Sequence, residues 1–559
     1  MTLPQKWHIV NFARERVEEI QKKYDFSINF SKVLLEKGIE TEKKIKRLLS
    51  PGIEHLHPSS LLPDIEVGFE RVSKAIKKQE KIFIWGDEDT DGITATVFLF
   101  ELLSNLNADV SYHIPNRKIE GIGLNIPGIK KARKMGCSLI ITVDCSSSDY
   151  EKISEAQKMG IDIIVTDHHE VLTDGNKDFP LINPKRTDSS YPFREIAGVT
   201  VAFKFGWFIA ERLLSLNCKE WESIMKDWYP LIFLGTYADR VPLKDENWIL
   251  SRLGFKSFSE TKRLGIRILT EMICKNQYCD EGMIHRMISV FSAAKTKGWE
   301  DNIGFRIFTE NNENYLTQTI THLIAESEDW HSLANENFRR ILASINENTK
   351  QRIIFVYEPK TSYIYLGFCA SRLKERFNRP VVVMSDRDNY IIGEARAPQG
   401  FNIHKLLSEQ RPLFLSFGGH KPACGFTIKR ENLDTLKKSL VQNCPEIISE
   451  DEKRNEMRIL NVLPIEKITK KIKDEILLLS PFGQGNPPPL FLAQNVPLSK
   501  GVYTYEIPET GESKRIEIKS DCQTWVGIDG KPVILDIVYY INNAGVPTIA
   551  DARPSIFNE

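Results

Sequence analysis

Over about residues 13–80 the apolar positions recur at helical spacing among charged ones, with a turn near Pro51-Gly52, and predict charged helices. The pattern changes at Lys81. Short apolar runs, Ile82–Trp85, Val110–Ile114, Leu139–Val143, Ile161–Val165 and Leu181–Asn183, alternate with stretches of helical periodicity such as Ala95–Leu106 and Tyr150–Met159. Strands alternating with helices imply a mostly parallel sheet with right-handed crossovers. Helices then dominate from Val199 to about Asn346. A second α/β rhythm starts at Ile353–Tyr357, continues through Leu366–Phe377, Val381–Met384 and Ile391–Arg396, and ends near Phe426–Ile428. A charged helical stretch covers about 431–479. Beyond Pro481-Phe482-Gly483-Gln484-Gly485-Asn486-Pro487 the chain turns β-rich, with short strands and polar turns that suit a small barrel or sandwich.

Composition narrows the class. The 559 residues are 41% hydrophobic and 27% charged, ordinary for a globular chain with proper cores. Lys+Arg and Asp+Glu both total 75, so the formal net charge is +0 and no basic nucleic-acid tail is present. Any positive potential for nucleic acid must be local, or supplied by cations in an acidic site. The nine cysteines form no C-x-x-C pair. Cys274 and Cys279 are the closest together, and no histidine pair of zinc-ligand spacing lies near them, so reduced, mostly buried thiols are expected. Met1 to Phe12 has no apolar signal core and no stretch approaches a membrane span, so a cytoplasmic protein is expected.

The residues at the ends of the apolar runs carry the chemistry. Ile82–Trp85 runs into Gly86-Asp87-Glu88-Asp89-Thr90-Asp91-Gly92, Leu139–Val143 ends at Asp144, and Ile161–Val165 ends at Thr166-Asp167-His168-His169. A later run, Leu231–Leu234, leads into Gly235-Thr236-Tyr237-Ala238-Asp239. Open α/β sheets bind ligands at the carboxyl ends of their strands, so these segments are expected to converge. Carboxylates held together repel one another, and cations remove that cost. Hard oxygen ligands with one or two imidazoles suit manganese or magnesium, and two such ions about 3.5–4 Å apart form a common phosphoester-cleaving device. Asp87-x-Asp89-x-Asp91-Gly92 alone matches the start of an EF-hand calcium loop. That loop needs glutamate at its twelfth position, where Phe98 stands, and it follows a helix rather than a strand. Asp144 alone would more often cap a helix, a His-His pair is usually decoration, and Asp239 alone is an ordinary loop carboxylate. Their joint occurrence after apolar runs carries the reading.

At these residues the chain resembles the DHH phosphoesterase superfamily, and within it the RecJ family of single-strand-specific 5′→3′ DNA exonucleases. The resemblance runs from about residue 30 to the C-terminus and rests on Gly86–Thr94, Ile141–Asp144, Val165–His169 and Gly235–Leu243. It also rests on Ile114-Pro115-Asn116-Arg117, Glu120-Gly121-Ile122-Gly123-Leu124, the glycine–histidine stretch Gly418–Phe426 and Pro481–Phe491. It implies an α/β fold. A parallel-sheet DHH catalytic domain with N-terminal helices (1–255) is followed by a helical connector (256–350), a second, DHHA1-type α/β domain with flanking helices (351–480), and an OB-fold-like barrel (481–559). It further implies that Asp87, Asp89, Asp91, Asp144, His168 and Asp239 hold manganese or magnesium, in a two-metal site. His169 contacts the scissile phosphate or orients the nucleophile, and Asp167 holds an imidazole in its tautomer. Arg117, Arg396 and His420 meet substrate phosphates. Trp525, Phe491 and Tyr503 are candidates for base stacking or for barrel core. The implied activity is hydrolysis of single-stranded DNA in repair and recombination by a monomer, with a single-strand-binding protein or a helicase as further candidate partners.

Three stretches depart from the family pattern. Gly393-Glu394-Ala395-Arg396 carries a glutamate where the family has serine, and a carboxylate there would repel a 5′-phosphate. Ser292–Lys297 lacks the family's asparagine and arginine, though Lys295 and Lys297 stand nearby. Asp144-Cys145-Ser146 replaces aspartate–asparagine–glycine. No expected metal ligand is lost, so hydrolysis with altered end preference is expected. Two rivals have distinct signatures. A phosphodiesterase for short oligonucleotides or cyclic dinucleotides would lack the OB segment, and a non-catalytic replication or repair scaffold would lose metal ligands.

Overall fold

The computed structural model describes residues 6–171, 178–215, 218–275, 279–345, 351–398, 400–445, 456–498, 502–506, 513–517 and 533–555. The chain forms two units, 9–324 with 459–559, and 325–458 with 1–8.

The larger unit is organised by one five-stranded sheet: β1 (Lys81–Trp85), β2 (Val110–His113), β3 (Cys137–Val143), β4 (Asp162–Thr166) and β5 (Leu181–Ile182), in the order β2-β1-β3-β4-β5. Every pairing is parallel. Alternate residues feed different cores. Ile82, Ile84, Leu139 and Ile141 join one cluster, while Phe83, Trp85 and Ile140 join the cluster on the opposite face. A sheet covered on both faces explains why these strands read as unbroken apolar runs instead of alternating ones.

Four helices position the sheet's carboxyl edge: α1 (Thr90–Asn105), α2 (Gly198–Leu214), α3 (Tyr229–Ala238) and α4 (Asp245–Ser257). The run Leu231–Leu234, which the sequence shows only as apolar, is the middle of α3, and Asp239 is its C-cap. Every residue from Tyr229 to Tyr237 is buried, so the helix is apolar all round and gives no amphipathic signal. The stretch Leu479–Pro487 locks α3 and α4 in place. Tyr237 Oη donates to Phe482 O at 3.0 Å, Leu243 N to Gln484 O at 2.7 Å, and Trp248 Nε1 to Leu479 O at 2.9 Å.

The C-terminal β region shares a core with the N-terminal helices Arg14–Tyr24, Ile28–Glu36 and Glu42–Leu49; Phe30, Leu34, Phe491, Ile537 and Tyr539 lie in one cluster. Phe491 is 0% exposed, so it is core and does not stack on bases. Trp525 and the side chain of Tyr503 lie outside the described residues.

In the smaller unit a mixed sheet combines β6 (Ile354–Tyr357), β7 (Val381–Arg387), β8 (Tyr390–Arg396), β9 (Phe414–His420) and β10 (Ala423–Lys429), in the order β9-β10-β8-β7-β6. Only β6 and β7 run parallel. Glu394 and Arg396 stand two apart on β8, so they share a face. Arg396 Nη1 donates to Glu394 Oε2 at 2.7 Å. His420 pairs with Ala423 through its backbone, but its side chain lies outside the described residues.

The expectation of reduced thiols is corrected at one pair. Cys274 and Cys279 form a disulfide, with Cα atoms 5.6 Å apart. A Cys-x4-Cys spacing carries no C-x-x-C signature, and Lys275, in the left-handed region at φ 47°, ends the helix between them. The thiols of Cys137, Cys145, Cys369, Cys424 and Cys444 are buried. Among the described residues no helix is long and apolar enough to cross a membrane.

Candidate metal centre

The loops after β1, β3 and β4 meet the C-terminal end of α3 at the carboxyl edge of the parallel sheet. Asp87 and Asp89 lie in the loop between β1 and α1, and Asp91 is in the first turn of α1. Asp144 follows β3, Asp167, His168 and His169 follow β4, and Asp239 caps α3. Three overlapping groups have ligand atoms within 4.8 Å of one another: Asp91, His168 and Asp239; Asp87, Asp89 and Asp144; and Asp144, Asp167, His168 and His169. Asp144 and His168 each belong to two of them.

The distances show what the gathering costs. His168 Nε2 stands 3.1 Å from Asp144 Oδ1, 3.6 Å from Asp239 Oδ2 and 3.9 Å from Asp91 Oδ2. Yet Asp144 Oδ1, His168 Nδ1 and His168 Nε2 are buried without a hydrogen-bond partner among the described residues. Burial, then Asp239 and Asp89, raises the Asp91 carboxyl well above its usual range. Burial, then Asp91, Asp89 and Asp239, does the same at Asp144. Burial and Asp89 push Asp239 up to about 7. Burial, with His169 next to it, drives His168 down to about 3, so its ring is neutral at pH 7 and carries the lone pair a cation needs. Orphaned buried acceptors, a neutral imidazole and mutually repelling carboxyls fit divalent cations with oxygen-rich coordination.

The remaining groups orient these. Asp167 accepts from the backbone N–H of His168 (2.7 Å), His169 (3.2 Å) and Ser147 (2.9 Å), and lies 2.7 Å from His169 Nδ1. Burial alone would raise the Asp167 carboxyl; His169, its hydrogen bond and His168 outweigh that and hold it well below the usual range. Burial lowers His169, but Asp167 overrides it and brings the imidazole up to about 9. Arg117 is placed on carboxylates. Its Nε donates to Asp87 Oδ1 at 2.9 Å, and its Nη2 donates to Asp87 Oδ2 and, at 3.0 Å, to Asp89 Oδ2. Arg396 and Glu394 belong to the other unit.

Two glycines belong to the site, although only one of them lies within a motif read from the sequence. The amides of Gly198 and Val199, at the start of α2, donate to the Asp91 carboxylate at 2.7 and 2.9 Å, where the helix dipole also favours an anion. A Cβ on Gly198 would stand 2.4 Å from Asp144 Oδ1, and one on Gly235 would stand 2.8 Å from Asp91 Oδ1. Both positions therefore need glycine so that helices can approach buried carboxylates. The sequence signal for Gly198 is weak: a glycine at a helix start after the polar stretch ending at Glu195.

These shifts give the metal-free protein a pH dependence. Asp239 and His169 keep their protons to higher pH when folded, at about 7 and about 9, than their ordinary values of 3.8 and 6.5. His168 is depressed to about 3, so its opposing contribution is complete above pH 6.5. Between pH 6.5 and 9 the folded state therefore binds more protons than the unfolded one, and stability falls as pH rises. Thermal melting of metal-stripped protein should lose at least about 2 °C over that window, and saturating Mn2+ should abolish the loss. A melting temperature that stays level or climbs without metal would contradict the arrangement.

Comparison with known proteins agrees with this geometry. Residues 81–236 match the DHH family, N-terminal domain, 336–445 match the DHHA1 domain, and 461–518 match the RecJ OB domain. The single-stranded-DNA-specific exonuclease RecJ of Bacillus subtilis is 29% identical over 499 residues, covering 88% of this chain and 62% of that protein. The Haemophilus influenzae protein of the same name is 28% identical, with 81% of each chain covered. The crystal structure of RecJ from Thermus thermophilus in complex with Mn2+ superposes with a TM-score of 0.75 at 21% identity, covering 98% of this chain and 79% of that one. With three domains matched in order and the acidic edge in place, the chain carries DHH, DHHA1 and RecJ OB domains and is similar to the RecJ exonucleases over most of its length.

Proposed function

We propose that the protein is a metal-dependent phosphodiesterase that hydrolyses single-stranded DNA, working as a 5′→3′ exonuclease in DNA repair and recombination. The observation that carries this reading is the meeting of Asp91, Asp144, His168 and Asp239 at one sheet edge, with buried ligand atoms left unpaired. The Bacillus and Haemophilus relatives are single-strand-specific exonucleases, and the Thermus protein holds manganese. The match to a RecJ OB domain at 461–518 supports a strand-tracking surface.

Asp89, Asp91, Asp144, His168 and Asp239 are the residues that would hold Mn2+ or Mg2+, with Asp87 steadied by Arg117. Such ions supply neutralisation of phosphoryl charge and acidification of a water when bound. The protein's own groups do the rest. Asp167 fixes the His169 ring through Nδ1, which leaves Nε2 as a donor toward a phosphate oxygen. At neutral pH that ring is cationic, and a charge-assisted hydrogen bond is the stronger kind. Arg117, held by Asp87, places a second positive group beside the same edge.

End selection is the second part of the proposal. Arg396 already has an internal anion, Glu394, at 2.7 Å. A 5′-phosphate arriving at that guanidinium would have to displace or tolerate a carboxylate, which weakens discrimination in its favour.

Two experiments test this. With Mn2+ present, Asp144→Ala should lower the rate on single-stranded DNA at least about a hundredfold, the scale of disturbed metal geometry; unchanged activity would mean the site is misplaced. Glu394→Ser should raise the rate ratio of 5′-phosphorylated to 5′-hydroxyl strands by about tenfold, the loss of one like-charge contact. An unaltered ratio would remove Glu394 from end selection.

A further inference from the structure

The segment Arg117–Gly123 after β2, one helical turn (Arg117–Glu120) followed by a glycine-flanked bend, has no part in the metal centre beyond Arg117. Its composition is unusual for a surface segment. Ile119 is 83% exposed and Ile122 67% exposed, the two highest values among the exposed large hydrophobics of the described residues. Isolated apolar residues at a surface need no explanation, but two on one segment beside a reactive site do.

The segment is held at both ends. On the incoming side Glu120 accepts from Asn116 N at 3.0 Å and lies 2.9 Å from His113 Nε2. Arg117 N donates to Glu88 Oε2 at 3.1 Å. On the outgoing side Leu124 N donates to Ser146 Oγ at 3.3 Å and to Asp149 Oδ2 at 3.0 Å, and Trp85 Nε1 donates to Gly123 O at 3.2 Å. The anchor Glu88 is next to Asp87, and Ser146 is two residues from Asp144. Gly121 (φ 83°) and Gly123 (φ 71°) take the left-handed turns that bring the chain back, and a Cβ on Gly123 would meet Asp149 Oδ2 at 2.4 Å. The framework is therefore fixed to the ligand-bearing loops, while its tip presents bare aliphatic side chains.

We propose that Ile119 and Ile122 form an apolar rest for unpaired nucleobases of the substrate strand next to the scissile phosphate. The inference rests on the reading of the site as a DNA phosphodiesterase and adds the residues that sense the base. Continuity with the site identifies the occupant. Ile119 lies two residues from Arg117 in the same helical turn, about 5.4 Å apart at Cα, and Arg117 sits on Asp87 and Asp89. A phosphate held at that edge carries its nucleoside past the tip. Arg117 and Lys118 supply positive charge for the backbone, and the isoleucines supply a surface for a base face, which is apolar once it is unstacked. A duplex keeps its base faces stacked and has none to offer, so the contact favours single strands.

The test uses the full chain with Mn2+ and three substrates: bis(p-nitrophenyl) phosphate, a single-stranded oligonucleotide, and the same oligonucleotide with abasic terminal nucleotides. Ile119→Ser/Ile122→Ser should raise KM on the oligonucleotide by about fivefold to tenfold, near the low end of what a base stacked on a side chain contributes. Its kcat and its hydrolysis of the small diester should match wild type. The wild-type preference for the normal over the abasic strand should vanish in the variant, and Ile119→Met/Ile122→Met should restore it. An unchanged KM, or an equal loss on normal and abasic strands, overturns the proposal; the latter result would assign the tip to a protein contact or a framework role. Wild-type protein that cleaves the small diester but no DNA strand would instead overturn the assigned substrate.

Discussion

Mutual repulsion among buried carboxylates is the constraint around which the larger unit is organised. Asp91 and Asp144 are each 2% exposed and Asp239 joins them, and among the described residues no lysine or arginine forms an ion pair with any of the three. Removing charges from water costs several kcal/mol per ion unless an opposite charge compensates. Backbone amides from α2 relieve Asp91, and Arg117 relieves Asp87, but nothing of the kind reaches Asp144 Oδ1. The fold thus keeps a local excess of negative charge that a cation cancels. The formal net charge of +0 gives no global attraction for a polyanion, so bound cations would add to the local positive groups Arg117 and His169.

Rigid surroundings make that excess tolerable. The parallel sheet is buried on both faces, so the strand ends cannot splay. The helix α3 that carries Asp239 is pinned by the Pro481–Pro487 loop, which begins the C-terminal β region. Asp144 itself sits at φ 61° and Ser146 at φ 80°. Left-handed backbone of this kind costs energy in residues other than glycine and persists where the surroundings over-determine it. The Ser146 hydroxyl accepts from Leu124 N and so ties the loop after β3 to the segment that carries Ile119 and Ile122.

Much of this is legible in the sequence, for a physical reason. A strand buried on both faces reads as an apolar run, and the acidic edge begins where the run stops, so Asp87 to Asp91, Asp144 and Asp167 to His169 can be located from pattern alone. The helical state of Leu231–Leu234 cannot, because a helix buried all round has no amphipathic period. Gly198 gives only a weak signal because its role is a close approach between α2 and Asp144, set by packing that no local pattern encodes. The attachment of Arg117 to Asp87 and the burial of Phe491 are likewise pairings and environments fixed only by tertiary structure. The Cys274–Cys279 bond is hidden because spacing alone does not reveal that a helix ends between the two residues.

Residues remote in sequence would then form one cation-filled pocket, and counting bound Mn2+ by electron paramagnetic resonance in wild type and in the Asp144→Asn and His168→Gln variants is the decisive measurement. Wild type should bind about two ions per chain saturably, with affinity reduced by at least about tenfold in each variant. Absence of saturable binding, or binding that neither substitution alters, would contradict it.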